Sequence, residues 1–256
     1  MAITFVGGAV NGAINGANVT LTFPGGVLEN DLVIVAYAVG DNDSLDFDML
    51  MVTAGYTEVA DLHADDAQDT DIGVFWKVMA ATPDTSAQVT GRGGADAAVA
   101  AVCQIFRGVD TSTPMDVTPT TATGINSNIP NPPSIDHLTP AGVWTVAAGA
   151  FGHTSGAAVT VTPPTSYDTV NDQLRSQDDT SDVTVAMAYR ETPADPEDPG
   201  VFTPSIADNV AHSWCAVTIA LRPAVASADT FFENRHPIEH GMKPNTAAGI
   251  GGVLIE

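Results

Sequence analysis

The chain has 256 residues, 44% of them apolar, which is enough apolar material to fill a core without disulfide or metal staples. It carries 31 Asp and Glu against 8 Lys and Arg, a net charge of −23. Such a surface repels phosphate backbones, so we expect no direct nucleic-acid binding. No apolar run reaches the roughly 18 residues of a membrane span, and MAITFVGG lacks the basic start of a secretory signal, so no membrane association is expected.

The first predicted elements are β-strands. Short segments rich in Val, Thr, Tyr and Phe alternate with Gly, Pro, Asn and Asp, which is the pattern of strands and turns. MAITFV and NVTLTF supply one or two strands at the start. The run DLVIVAYAV (31–39) is apolar in both phases, which predicts a central strand in a sheet that is covered on both faces.

The loop GDNDSLDFD (40–48) is the first candidate site, because Asp41, Asp43, Asp46 and Asp48 supply carboxylates within one connection. An EF-hand loop needs oxygen ligands at its first, third and fifth positions and Gly at the sixth. Counted from Asp41, the fifth and sixth positions are Leu45 and Asp46, so the pattern fails twice. Asp and Asn also favour turns for backbone reasons. We therefore interpret the loop as a solvated turn, with no cofactor or metal favoured and Ca²⁺ as the alternative.

An internal duplication organises the rest of the chain. The matching pairs are DLVIVAYAVG (31–40) with GVWTVAAGAFG (142–152), residues 55–85 with 165–196, and residues 89–110 with 202–225. Two copies are too few for a solenoid, in which each unit needs stacked neighbours. We expect pseudo-repeats at about 17–110 and 130–223, joined by a connection at 111–134 that is rich in Pro, Thr and Asn.

The predicted fold class is therefore all-β: a β-sandwich of jelly-roll type over residues 1–223, built from two related halves. The sequence leaves open whether the halves share one sandwich or form two small tandem ones. Cys103 and Cys215 lie in apolar segments and are interpreted as inert core thiols.

A second acidic stretch, HADDAQDTD (63–71), adds an imidazole, and His with Asp can hold a transition metal or transfer protons. Its counterpart DQLRSQDDTSD (172–182) keeps the acidic turn but has no His. We interpret the shared turn as a matter of geometry and predict no catalytic residue and no enzymatic activity.

Several strand and turn motifs of this chain are similar, in type and in order, to those of a widespread group of phage and prophage virion proteins. The resemblance rests on DLVIV (31–35), FRGVD (106–110) and ALRP (220–223) and covers roughly residues 1–225. It implies a virion structural protein, made in the host cytoplasm, whose partners are other virion proteins and further copies of itself. The outer capsid surface is the favoured place, as a decoration or cement protein, because the DNA-filled interior would confront the chain with like charge.

A tail or fibre component is one alternative role, and a carbohydrate-binding host-adhesion module is another. A sugar platform needs exposed aromatic side chains, whereas Trp76, Trp144 and Trp214 all lie in predicted strands. An exposed tryptophan beside the loop 41–48 would favour adhesion.

Residues 224–256 have no counterpart in the first half and are predicted to form an extended C-terminal arm. Its apolar side chains have no core of their own, and such an arm can bury them by adding a strand to a neighbour's sheet. The predicted anchors are Phe231, Phe232, Ile250, Val253, Leu254 and Ile255. The stretch HPIEH (236–240) fits the H-x-x-E-H pattern of zinc peptidases, but the Gly and Pro that follow end any helix, so we interpret it as a tail segment.

Overall fold

The computed structural model describes residues 2–42, 44–92, 97–139, 141–153, 159–168, 174–177, 182–205 and 212–225. Within these ranges the protein has 14 β-strands and no helix. The strands are β1 (Thr4–Ala13), β2 (Val19–Thr22), β3 (Leu32–Asp41), β4 (Thr57–Ala64), β5 (Asp69–Val78), β6 (Ser86–Val89), β7 (Ala98–Arg107), β8 (Thr120–Gly124), β9 (Trp144–His153), β10 (Val161–Thr162), β11 (Leu174–Gln177), β12 (Asp182–Arg190), β13 (Thr203–Pro204) and β14 (Trp214–Leu221).

Two large antiparallel sheets dominate the architecture, and each comes from one half of the chain. The first sheet has the order β1-β7-β3-β5-β4, and the second has the matching order β8-β14-β9-β12-β11. The two halves therefore repeat one topology, with β3 and β9 as equivalent central strands. The predicted all-β sandwich built from two related halves is confirmed.

A small outer layer covers the far face of each large sheet. In the first half β2 pairs with β6, and Met51 bridges Val89 at the end of β6. In the second half Ile135 bridges Glu197, and β10 pairs with β13. Counted along the chain, the segments of the first half are β1, β2, β3, the Met51 segment, β4, β5, β6 and β7, and those of the second half are β8, the Ile135 segment, β9, β10, β11, β12, the segment from Glu197 to β13, and β14. In each half the large sheet has the order first, eighth, third, sixth, fifth, and the small layer has the order second, seventh, fourth. This is a jelly-roll order in which the fifth strand has joined the large sheet.

The two large sheets pack face to face and enclose the main core. All ten residues of β3 are buried, because one face meets the second sheet and the other meets the small outer layer. Residues 31–39 are thus apolar at successive positions because both faces of β3 are covered by other parts of the protein, as the sequence pattern predicts. Cys103 and Cys215 are buried free thiols, and burial raises the pKa of both.

Side-chain size falls steadily along the inward faces of the two central strands. These faces read Leu32, Ile34, Ala36, Ala38, Gly40 in β3 and Trp144, Val146, Ala148, Ala150, Gly152 in β9. At the wide end Trp144 stacks on Tyr189 with ring centroids 5.2 Å apart. At the narrow end the sheets come so close that a Cβ added to Gly40 would lie 2.8 Å from Val183 Cβ in the second sheet. A Cβ added to Gly152 would lie 3.1 Å from Gln68 Cβ, so the close approach of the sheets favours glycine at the end of both repeated motifs.

A cation near the end of β5 and of β12 is anchored in the same way in both halves. Lys77 Nζ lies 2.6 Å from Asp84 Oδ2, and Arg190 pairs with Glu197 at 3.0 Å, each seven residues further on. The chain divides into two units, Met1–Val225 and Ala226–Glu256. The second unit, which contains the predicted anchors of the arm, lies outside the described residues.

Candidate functional site

Ionisable side chains gather where residues 44–51 cross the outer face of the first sheet. Strand register places His63 of β4 directly opposite Asp71 of β5, and Asp41 of β3 opposite Asp69 of β5. Asp61 lies two residues before His63 on the same strand and therefore on the same face. The strands thus present one imidazole and four carboxylates on a single surface.

Carboxylates of the sheet hold the crossing segment through its backbone. The three bonds run from Ser44 N to Asp69 Oδ2, from Phe47 N to Asp71 Oδ1 at 3.2 Å, and from Met49 N to Asp61 Oδ2 at 3.0 Å. Side chains here take the place of the carbonyls of a neighbouring strand, so that backbone donors at a covered surface are satisfied. One function of the acidic residues is therefore to position residues 44–49.

Asp71 is the most constrained of these carboxylates. Its side chain is 1% exposed, and its Oδ1 lies 3.1 Å from His63 Nδ1. Its Oδ2 is buried and has no hydrogen-bond partner. Burial raises the pKa of Asp71 to about 7, although the neighbouring His63 and the Phe47 N–H oppose the rise. Burial also raises the pKa of Asp61, whose Oδ1 is likewise buried and without a partner.

Three of the side chains converge closely enough to share one ion. Asp46 from the crossing segment, His63 and Asp71 each offer a ligand atom, and these atoms lie within 4.8 Å of one another. Asp46 is exposed and the His63 side chain is 17% exposed, so solvent reaches the cluster from one side. One imidazole and two carboxylates form a donor set suited to a divalent transition metal.

The structure redistributes the acidic residues that the sequence groups into one loop. Asp41 is buried on β3, Asp46 joins His63 and Asp71, Asp48 is exposed, and Asp43 lies outside the described residues. The stretches 40–48 and 63–71, which the sequence presents as separate clusters, meet in space. The sequence signal for this meeting was the alternation in D-L-H (61–63) and D-T-D (69–71). In a strand every second residue lies on the same face, so the polar residues of each stretch share one face.

Comparison with known protein families, with curated proteins and with solved structures gave no match. Within the part of the chain that the structure describes, no helix is long and apolar enough to cross a membrane.

Proposed function

We propose that the chain is a non-enzymatic structural protein of a phage particle, bound to the outer capsid surface as a decoration or cement protein. The observation that supports the proposal concerns the motifs that resemble those of virion proteins: their charged side chains form ion pairs that hold the sandwich together. In each of them the charged residue serves the framework of the sandwich, as is expected of a protein whose task is to keep its shape.

The FRGVD motif fastens the end of β7 to the turn before β3. Arg107 makes two parallel bonds of 2.8 Å to the carboxylate of Asp31, which is fully buried and opens the DLVIV motif. A third bond from Arg107, 2.9 Å long, reaches the carbonyl of Gly26. Fork-shaped pairing of this kind holds both partners in one geometry. Two motifs that lie far apart in sequence thus form one joint.

The ALRP motif fastens the end of β14 to the connection between the halves. Arg222 Nε lies 3.2 Å from Asp116 Oδ1, and Arg222 also donates to the backbone carbonyl of Asp116 at 3.0 Å. Asp116 Oδ2 in turn accepts from the backbone of Leu138 and Thr139. The connection is thereby tied to the second sheet, which supports a structural reading of this motif as well.

The acidity of the chain supports a place outside the capsid shell. With 31 Asp and Glu against 8 Lys and Arg, it is repelled by packaged DNA. The adhesion alternative needs an exposed aromatic platform, whereas Trp144 is buried and Trp76 and Trp214 are half-buried. The burial of these rings favours the structural role over sugar binding.

Immunogold electron microscopy tests the proposal directly. Antibodies against the full chain are applied to intact particles of the phage that encodes it, and the expected result is label spread over the head surface. Label confined to the tail would replace decoration by the tail or fibre role. Absence of label from all particles, with the chain detected in the infected cells, would contradict a virion role altogether.

Truncation separates folding from assembly. A chain that ends at Pro223 should stay folded and soluble but no longer join particles, because we expect residues 224–256 to hold the partner-binding anchors. Assembly of the truncated chain at the full-length level would show that the sandwich itself carries the binding surface.

A further inference from the structure

We propose that Asp46, His63 and Asp71 bind one divalent transition-metal ion of the zinc type, which fastens the segment 44–51 to the first sheet. The three ligands come from the segment, from β4 and from β5. β4 and β5 are already paired in the sheet, and the segment is held to them by backbone-to-carboxylate hydrogen bonds, so an ion held by all three ligands would add a further link between the segment and the sheet. The site goes beyond the structural role proposed above and does not depend on it.

The spacing of the donors suits a small tetrahedral ion. With bonds of about 2.0–2.2 Å, two ligands of tetrahedral zinc lie roughly 3.3–3.6 Å apart. His63 Nδ1 and Asp71 Oδ1 are already 3.1 Å apart. All three ligand atoms lie within 4.8 Å of one another, so a displacement of about 1 Å by the exposed Asp46 carboxylate would bring the set to zinc spacing. Imidazole is a poor ligand for Ca²⁺, which takes oxygen, so the donor set selects a transition metal.

The buried oxygen of Asp71 is a second, independent observation that favours a cation at this position. Oδ2 has no hydrogen-bond partner, although the side chain is 1% exposed. A buried carboxylate without compensation is costly, and both partners and metal ions serve to compensate it. Phe47 N–H and His63 engage only Oδ1. An ion beside the Asp71 carboxylate would supply the charge that Oδ2 lacks.

The second half of the chain provides an internal comparison. Its register pairs Ser176 of β11 with Thr184 of β12 at the positions equivalent to His63 and Asp71. The same topology therefore forms without the imidazole and without the carboxylate. These two groups are thus not needed for the topology. In the first half Asp71 already accepts from the Phe47 N–H, and ligation of an ion would in addition give a role to the His63 imidazole and to the unpartnered Asp71 Oδ2.

Isothermal titration with Zn²⁺ alone tests the site in the full-length chain. His236 and His240 could bind Zn²⁺ on their own, so all variants carry His236→Ala and His240→Ala. After removal of metal with a chelator, the expected result is saturable binding of one Zn²⁺ per chain. A hundredfold excess of Zn²⁺ over its Kd should raise the melting temperature by about 5–10 °C. Co²⁺ in place of Zn²⁺ should give the visible absorption of a tetrahedral ion.

Three further substitutions decide whether the named residues hold the ion. His63→Ala and Asp46→Asn should each weaken Zn²⁺ binding at least tenfold, and both positions are accessible enough for the variants to fold. Asp48→Asn, an exposed carboxylate in the same segment but outside the cluster, is the matched control and should leave the affinity unchanged. The proposal is overturned if His63→Ala binds as well as its parent, if the parent shows no saturable binding, or if Ca²⁺ binds in preference to Zn²⁺.

Discussion

Substitution of Gly40 by alanine tests the close approach of the two large sheets. An alanine Cβ would lie 2.8 Å from Val183 Cβ and 3.1 Å from the backbone oxygen of Asp182. Carbon atoms in ordinary contact are about 3.5–4.0 Å apart, so the overlap approaches 1 Å. Neither contact is the free end of a flexible side chain, because one atom is a Cβ and the other is a backbone oxygen. Both lie at the start of β12. The sheets must therefore separate locally to admit the methyl group.

The size of the effect follows from two opposing contributions. Overpacking of a well-filled core costs about 1–3 kcal/mol. Replacing glycine restricts the unfolded chain and returns about 0.4–1 kcal/mol. The net loss is then between roughly 0 and 2.6 kcal/mol and centred near 1.3 kcal/mol, which for a unit of this size lowers the melting temperature by about 3–5 °C.

Thermal unfolding followed by circular dichroism provides the measurement, with Gly25→Ala as the matched control. No atom lies within 4 Å of a Cβ built at Gly25, so this variant should melt at or slightly above the wild-type temperature. Gly152→Ala, whose nearest contact is 3.1 Å from Gln68 Cβ, should fall between the two. A Gly40→Ala protein that melts at or above the Gly25→Ala control would refute the close approach.

Three further predictions concern polar groups and charge. Burial would by itself raise the pKa of Asp116, but hydrogen bonds from Thr139 and Arg222 lower it overall. Its stabilisation is thus present above the usual Asp pKa and lost as pH falls through the lower folded value. Asp116→Asn should cost about 1–3 kcal/mol at pH 7, and the melting temperatures of variant and wild type should converge as pH falls below the usual Asp pKa; a gap independent of pH contradicts this. Gln104 is buried, the two polar atoms of its side-chain amide have no hydrogen-bond partner, and the equivalent position of the second half is Ile219. Gln104→Ile should therefore raise the melting temperature by about 2–8 °C. A decrease would argue against this reasoning. Added NaCl should raise the melting temperature by screening like charges, and a flat response between low and high salt tells against it.

The sandwich could be predicted from the sequence because the order of apolar and polar residues reflects which faces of each strand are buried. The run at 31–39 is apolar in both phases, and the structure confirms that it is central and covered on both faces. The duplication predicted related halves, which the matching strand orders confirm. The pairing of residues 89–110 with 202–225 is also seen in the structure, where each stretch contains the equivalent strand of its half, β7 and β14.

The candidate site was less accessible to sequence reasoning. Alternation predicts that Asp61 and His63 share a strand face, but it does not say which distant segment covers that face. The meeting of Asp46 with Asp71 depends on how residues 44–51 cross the sheet, and a pattern within either stretch does not encode that path. Burial of a carboxylate such as Asp71 also runs against the general tendency of Asp to be exposed.

The decrease in side-chain size along β3 and β9 sets the alignment of the two halves. If one sheet slid along the other by two residues, the large side chains of the wide end and the glycines of the narrow end would face neighbours of the wrong size. Movement in one direction would force Trp144 toward the narrow end, and movement in the other would leave the aromatic end underfilled. Overlap and underfilling both reduce packing energy. The two jelly rolls therefore pack well in only one relative register along their strands.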